Sequence, residues 1–438
     1  MAASDTAVSV ASLSRRDTTV SIIIIAGMFF IFGFLSWINA ILIPYFKIAC
    51  ELTHFQSYLV AFAFYIAYFV MSMPASYLLK AVGFKRGMMI GFFALSLGAF
   101  IFVPAAVTRT YAVFLIGLFT IGVGLAILQT AANPYITILG PKERAAQRIS
   151  IMGICNKFAG ILAPLLFAAA VLRPTDQALF DSLAAMPDDV RTSALDELIR
   201  RVIMPYSVVG AVLFMIGIGV RYSPLPEINT EEESAEVYAA NHGKTNVFQF
   251  PHLVLGAIAI FIHVGAQVIS IDTIINYAGS MGISLIDAKV FPSYTLAMAI
   301  VGYFMGIAVV PRWISQTNML RLVTVMGAVL SLLIVFTRGD VTLLGHCTDM
   351  SIWFVVLLGI PNSLTWAGIW PLAIDGLGRF TKVGASLLIM GLCGNAILPM
   401  VYGYFADVAG LREAYWVLMP CYLYLIYYAM WGHKLRRW

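Results

Sequence analysis

The chain is 438 residues long, 61% hydrophobic and only 11% charged. Soluble domains are about half apolar and about a quarter charged, so a water-soluble globule is excluded. The net charge of +5 is scattered along the chain, which removes a nucleic-acid face.

With lipid as solvent, each crossing needs about 20 apolar residues at 1.5 Å rise. That ruler predicts an all-α membrane protein with twelve spans, at 20–46, 56–79, 87–107, 111–139, 147–172, 202–221, 251–279, 288–310, 318–337, 351–378, 383–408 and 413–433. The polar first residues run into an apolar stretch too long for a signal peptide, without a cleavage site. In span four, Gly117, Gly122 and Gly124 allow close helix packing. No strand precedes them, so they form no nucleotide loop. Residues 173–201, after span five, read as a polar excursion with helical patterning. After span six, 223–250 reads as a linker with the acidic run 231–233. The division is therefore a six-helix bundle at 1–222, the linker 223–250, and a second six-helix bundle at 251–438.

Lys and Arg set the expected orientation. With the N-terminus inside, 17 of the 27 fall on the side of the termini and 9 on the other, with Lys157 inside a span. That bias predicts both termini in the cytoplasm. The five cysteines and six histidines have no metal-ligand spacing, and no nucleophile–base pair stands out. Neither an enzyme nor a cofactor is expected.

An internal echo supports the division. Residues 151–155 (IMGIC) in span five return as 389–393 (IMGLC) in span eleven, an offset of 238, and Pro134 has a counterpart in Pro371 at 237. Two pseudo-symmetric bundles place a binding site at their interface near the bilayer midplane, with rocking about it.

Buried polar residues then need reasons, because a charge at the bilayer centre costs roughly 2.5–3.5 kcal/mol on insertion scales. Asp375 reads as an interfacial ion pair with Arg379. Lys157 and Asp272 lie deeper, one in each half, and either pair with each other or face water. Amides form faces at i,i+4 spacing: Gln129 and Asn133 in span four, and Asp272 and Asn276 in span seven. Asn362, Trp366 and Trp370 do the same in span ten. Gln267 follows His263 on span seven, about 140° around the helix from Asp272, so a shared cavity requires a break between 267 and 272. Asn39 and Asn156 complete the set. Each amide alone is equally well read as helix–helix glue. Together with indole faces, the set suits a neutral polyhydroxylated ligand, whose hydroxyls need donors and acceptors and whose apolar ring face stacks.

Residues 39–46 (NAILIPYF), 129–135 (QTAANPY), 138–141 (ILGP) and 264–267 (VGAQ) resemble the fucose:proton symporter and glucose/galactose transporter family of the major facilitator superfamily. The resemblance implies a bacterial inner-membrane sugar symporter working by alternating access. The fucose branch carries acids where this chain has Ala40 and Gln129, so neither position can titrate here. The expectation is import of a neutral hexose such as glucose, galactose or mannose by a monomer, coupled to H+ or Na+. A 6-deoxyhexose such as fucose, an N-acetylhexosamine, or a non-transporting sugar sensor are the alternatives. Asn39, Gln129, Asn133, Asn156, Gln267, Asn276, Asn362, Trp366 and Trp370 are the candidate sugar ligands. Asp272, with Lys157 as counter-charge, is the candidate cation-coupling group.

Overall fold

The computed structural model describes residues 15–138, 145–225, 245–310, 312–377 and 380–438. In lipid every backbone N–H and C=O must be paired within the chain, so apolar runs of this length become helices. Among the described residues, eleven helical stretches are long and apolar enough to cross a membrane. A twelfth crossing is divided between the 3-10 helix Glu413–Val417 and the helix Leu418–Met430.

The first half contains span one (Arg15–Trp37 and Asn39–Ala49), two (Leu59–Val82), three (Phe84–Thr108), four (Tyr111–Ile138), five (Ala145–Val171) and six (Ile203–Tyr222). The second contains seven (Pro251–Asp272 and Ile274–Gly279), eight (Phe291–Val309), nine (Gln316–Phe336) and ten (Ser351–Leu357 and Gly359–Ile374). Eleven follows (Thr381–Met390 and Gly394–Ala409, joined by a 3-10 turn), and then twelve. The helical excursion after span five is Asp176–Ser182 and Asp188–Arg200.

The packing repeats with the numbering. Span one lies on five, two on four, and three on four and six; seven lies on eleven, eight on ten, and nine on ten and twelve. Adding six to each number maps the first set onto the second. The joins between the halves obey the same rule, since five meets eight and two meets eleven. Close approach marks equivalent places. A Cβ on Gly33 in span one would overlap the carbonyl of Asn156 in span five. A Cβ on Gly394 in span eleven would overlap the carbonyl of Phe261 in span seven, and 394 lies 238 beyond 156.

Two features differ from the sequence expectations. Span seven does break, but at Thr273, beyond Asp272, between Pro251–Asp272 and Ile274–Gly279. Residues 267 and 272 therefore share one continuous helix. Second, the loop between spans nine and ten is a hairpin, with strand β1 (Asp340–Leu343) antiparallel to β2 (His346–Asp349). Four-residue strands with mixed exposure leave no alternation to read. The expected partner of Asp375, Arg379, lies outside the described residues; Asp375 is ion-paired with Arg436 at 2.6 Å.

Candidate functional site

The two halves meet along a seam, and the polar side chains named from sequence divide according to how far they reach it. Span one turns at Ile38, which leaves Trp37 at the end of one helix and Asn39 at the start of the next. Gly160 has no Cβ to keep the Trp37 ring off span five. The Trp37 indole N–H donates to Asn156 Oδ1 at 3.1 Å, and the Lys157 ammonium sits 3.9 Å from the ring centroid. A cation over an indole face is stabilised by the ring quadrupole, more strongly where water is excluded, and Lys157 is 6% exposed. The same ammonium reaches across the seam to Gln267 Oε1 at 3.5 Å. Asn156, Lys157 and Gln267 thus form one polar junction around Trp37, with both halves contributing.

Lys157 and Asp272 do not pair. Five residues of helix separate Gln267 from Asp272, about 7.5 Å along the axis, which puts the carboxylate nearer the face opposite the termini. Asp272 is wholly buried, and neither of its oxygens has a hydrogen-bond partner. Asn39 is buried without a partner in hydrogen-bonding geometry, with the Tyr65 hydroxyl beside it. Asn276, one turn past Asp272, donates to the Tyr58 hydroxyl at 3.2 Å across the seam.

Gln129 donates to the Tyr68 hydroxyl at 2.7 Å, and Asn133 lies one turn on, half-buried. On span ten, Trp366 and Trp370 are half-buried and stacked, with centroids 5.5 Å apart and planes 29° from parallel. They stand 237 residues after Gln129 and Asn133, so the repeat sets an indole pair where the first half has a carboxamide pair. Asn362 is otherwise engaged: it donates to Ser270 at 3.2 Å and accepts from Tyr422 at 2.8 Å, all within the second half. Trp37, Tyr58, Tyr65 and Tyr68 are not among the residues the sequence singles out. The signal for the three tyrosines is their recurrence in and just before an otherwise apolar span two, because a buried phenol needs a partner.

On the face opposite the termini the halves touch, through the Asn276–Tyr58 hydrogen bond and the helix His54–Ser57 packed against span eleven. Open on that face is a pocket of about 510 Å³, lined by Lys47, Glu51 and His54 from the first half and Asn276, Ser280 and Leu411 from the second. Burial, with the Lys47 ammonium beside it, holds the His54 imidazole below its usual value. No group of His, Cys, Asp and Glu among the described residues has the arrangement of a metal centre.

Known proteins share this architecture over nearly the whole chain. Residues 25–392 match the Major Facilitator Superfamily. The chain is 33% identical over 410 residues to the glucose/galactose transporter of Brucella abortus, covering 93% of this chain and 92% of that one. To the L-fucose-proton symporter of Escherichia coli it is 28% identical, covering 90% and 89%. The crystal structure of the transporter FucP in the outward conformation superposes with a TM-score of 0.70 at 26% identity, covering 95% of this chain and 99% of that one. This chain therefore belongs to the major facilitator superfamily, and within it to the family of the fucose:proton symporter and the glucose/galactose transporters.

Proposed function

We propose that the protein is a secondary transporter that imports a neutral monosaccharide by alternating access, coupled to a cation. The observation that carries the reading is the junction of Trp37, Asn156, Lys157 and Gln267, where carboxamides and an indole from both halves meet on the seam. A solute held there contacts both halves at once, so its binding energy bears directly on their rocking. Carboxamides supply paired donors and acceptors for sugar hydroxyls, and indole planes take the ring's apolar face. Gln129, Asn133, Trp366 and Trp370 extend the same chemistry along spans four and ten, with Asn39, Asn276 and Asn362 in supporting positions. Glucose or galactose is the first choice of substrate, because the relative of that name is 33% identical against 28% for the fucose symporter.

The rocking units are 1–222 and 251–438, joined by 223–250, in a bacterial inner membrane with both termini in the cytoplasm. Asp272 is the coupling group. An ionised carboxylate in a span requires a counter-charge or hydrogen bonds, and Asp272 has neither among the described residues. A cation that arrives and leaves with the sugar supplies the missing charge. Lys157, held by Trp37 and Gln267, senses the same movement from the other side of the seam.

The test is counterflow in proteoliposomes against hexoses, 6-deoxyhexoses and N-acetylhexosamines, each under a proton gradient, a sodium gradient and neither. Exchange of one hexose class, with accumulation only under one of the two gradients, is the expected result. Binding without exchange for every sugar makes the protein a sensor and overturns the reading.

A further inference from the structure

The buried carboxylate and the cavity beside it belong to one path. Asp272 lies inside the protein with both oxygens unpartnered. The helix breaks immediately after it, at Thr273, and the next turn presents Asn276. Asn276 is also a wall of the 510 Å³ cavity, whose other polar walls are Lys47, Glu51, His54 and Ser280. The Asn276 side chain links that wall to the hydroxyl of Tyr58, which accepts from it at 3.2 Å and lies within the field of both Asp272 and Asp407. The Tyr58 ring packs edge-on against Tyr402 at 5.8 Å and fills the space beside Gly403, which seals the other side.

We infer that this cavity is the vestibule through which a proton reaches Asp272 from the face opposite the termini, with the Tyr58–Asn276 hydrogen bond as its plug. The inference rests on the reading of Asp272 as the coupling group and adds the route, the ion and the gate. The lining favours a proton over a metal cation. Among the described residues no cluster of carboxylate, imidazole or thiol groups there could hold a metal ion, whereas His54 and Glu51 are groups that can take up and release a proton. Lys47 Nζ lies 2.8 Å from His54 Nε2, and Glu51 shares the same wall. The titratable groups that face the Tyr58 plug are Asp272, Asp407, Tyr402 and Tyr415, and Tyr65 lies beside Asn39 within the field of Asp272. When the halves part at this face, the Tyr58–Asn276 bond spans the opening and breaks, so Asp272 loads as the sugar site opens.

The experiment is sugar-free proton flux into proteoliposomes carrying a trapped pH dye, with potassium and valinomycin to clamp the potential. Tyr58→Phe keeps the ring and removes the hydroxyl that Asn276 holds. The expected result is a proton leak about tenfold above the wild type that disappears in Tyr58→Phe/Asp272→Asn. A Tyr58→Phe protein as tight as the wild type, or a leak that survives Asp272→Asn, overturns the inference. So does accumulation driven by sodium alone with no proton movement. If Tyr58→Phe fails to assemble, Ser280→Cys is labelled from outside with a bulky cationic thiol reagent. Sugar-triggered proton uptake should then fall at least fivefold more than in labelled wild type, with sugar binding unchanged by tryptophan fluorescence; equal rates overturn the inference. Because the leak assay contains no sugar, failure of the transport reading shows separately, as absent counterflow in the wild type.

Discussion

Asp407 holds His54 from across the seam: its carboxylate accepts the backbone N–H of His54 at 3.0 Å and that of Phe55 at 2.8 Å. These donors open the short helix His54–Ser57 between spans one and two, and the acceptor lies on span eleven. The pair is a clasp between the halves on the face opposite the termini, and alternating access requires it to open. Both bonds are solvent-exposed, so the clasp contributes about 1 kcal/mol rather than the larger value of a buried charged pair. Asp407→Ala should shift the population toward the state open at that face by about fivefold. Distance distributions between spin labels on the outer ends of spans two and eleven measure this. Unchanged distributions would remove Asp407 from the gate.

Asp272→Asn tests the coupling role. The amide keeps the shape and removes the charge, so a transporter that uses this group should lose uphill accumulation while retaining counterflow, which needs no net ion movement. Initial counterflow within twofold of the wild type, with accumulation at the diffusive limit, is the expected pair of measurements. Undiminished accumulation would assign coupling elsewhere.

Much of this was legible in the sequence, for physical reasons. Lipid leaves a long apolar run only one backbone solution, so the predicted 111–139 and 318–337 become Tyr111–Ile138 and Gln316–Phe336. The repeat was legible because duplicated packing keeps its small residues, as IMGIC and IMGLC do. Which amides reach the seam was not. Asn362 and Gln267 look alike on a helical wheel, yet Asn362 is engaged by Ser270 and Tyr422 while Gln267 faces Lys157 across the halves. Partners on other helices decide this, and single-sequence periodicity carries no such information. The clasp was hidden for the same reason, since its donors are backbone N–H groups that every sequence possesses.

The close helix contacts make a stability prediction. Gly394→Ala places a methyl group into the Phe261 carbonyl, where backbone rather than a flexible side chain stands in the way. Overpacking of this kind costs typically 1–3 kcal/mol. Gly27→Ala is the control: nothing lies within 4 Å of its Cβ, and replacing a helical glycine is neutral or gains up to about 1 kcal/mol. Thermal unfolding in detergent should separate the two by several degrees, in that order. Equal midpoints would mean that spans seven and eleven do not approach this closely.

The hairpin between spans nine and ten makes a prediction about pH. Partial burial pushes the Asp349 carboxyl up, but hydrogen bonds from Ser351 and Arg412 outweigh it and bring the value down to about 2. Arg412 Nη2 lies 2.8 Å from the carboxylate, tying β2 to the turn before span twelve. A depressed carboxyl stabilises the fold above its unfolded value, near 4, and that contribution is lost as pH falls toward 2. The contribution of this pair should therefore be constant from pH 5 to 8. Asp349→Asn should lower stability by about 1 kcal/mol after solvent screening, equally at both ends of that range. A variant whose deficit grows between pH 8 and 5 would contradict the assignment.

Trp366 and Trp370 make the sharpest prediction about the sugar. Their rings are stacked at 5.5 Å and half-buried, and a helix that needed only apolar filling would be served as well by leucine. A sugar's ring face on an indole gains mainly apolar burial and CH–π contact, of order 1–2 kcal/mol. If the indoles receive substrate, Trp370→Ala should raise KM about five- to thirtyfold with a smaller change in kcat, because the contact is present in the bound ground state. Trp370→Phe should recover part of the loss and Trp370→Leu little of it, although leucine fills comparable apolar space. Equal rescue by leucine and phenylalanine would make the pair a packing element of span ten and move the sugar toward the Trp37 junction.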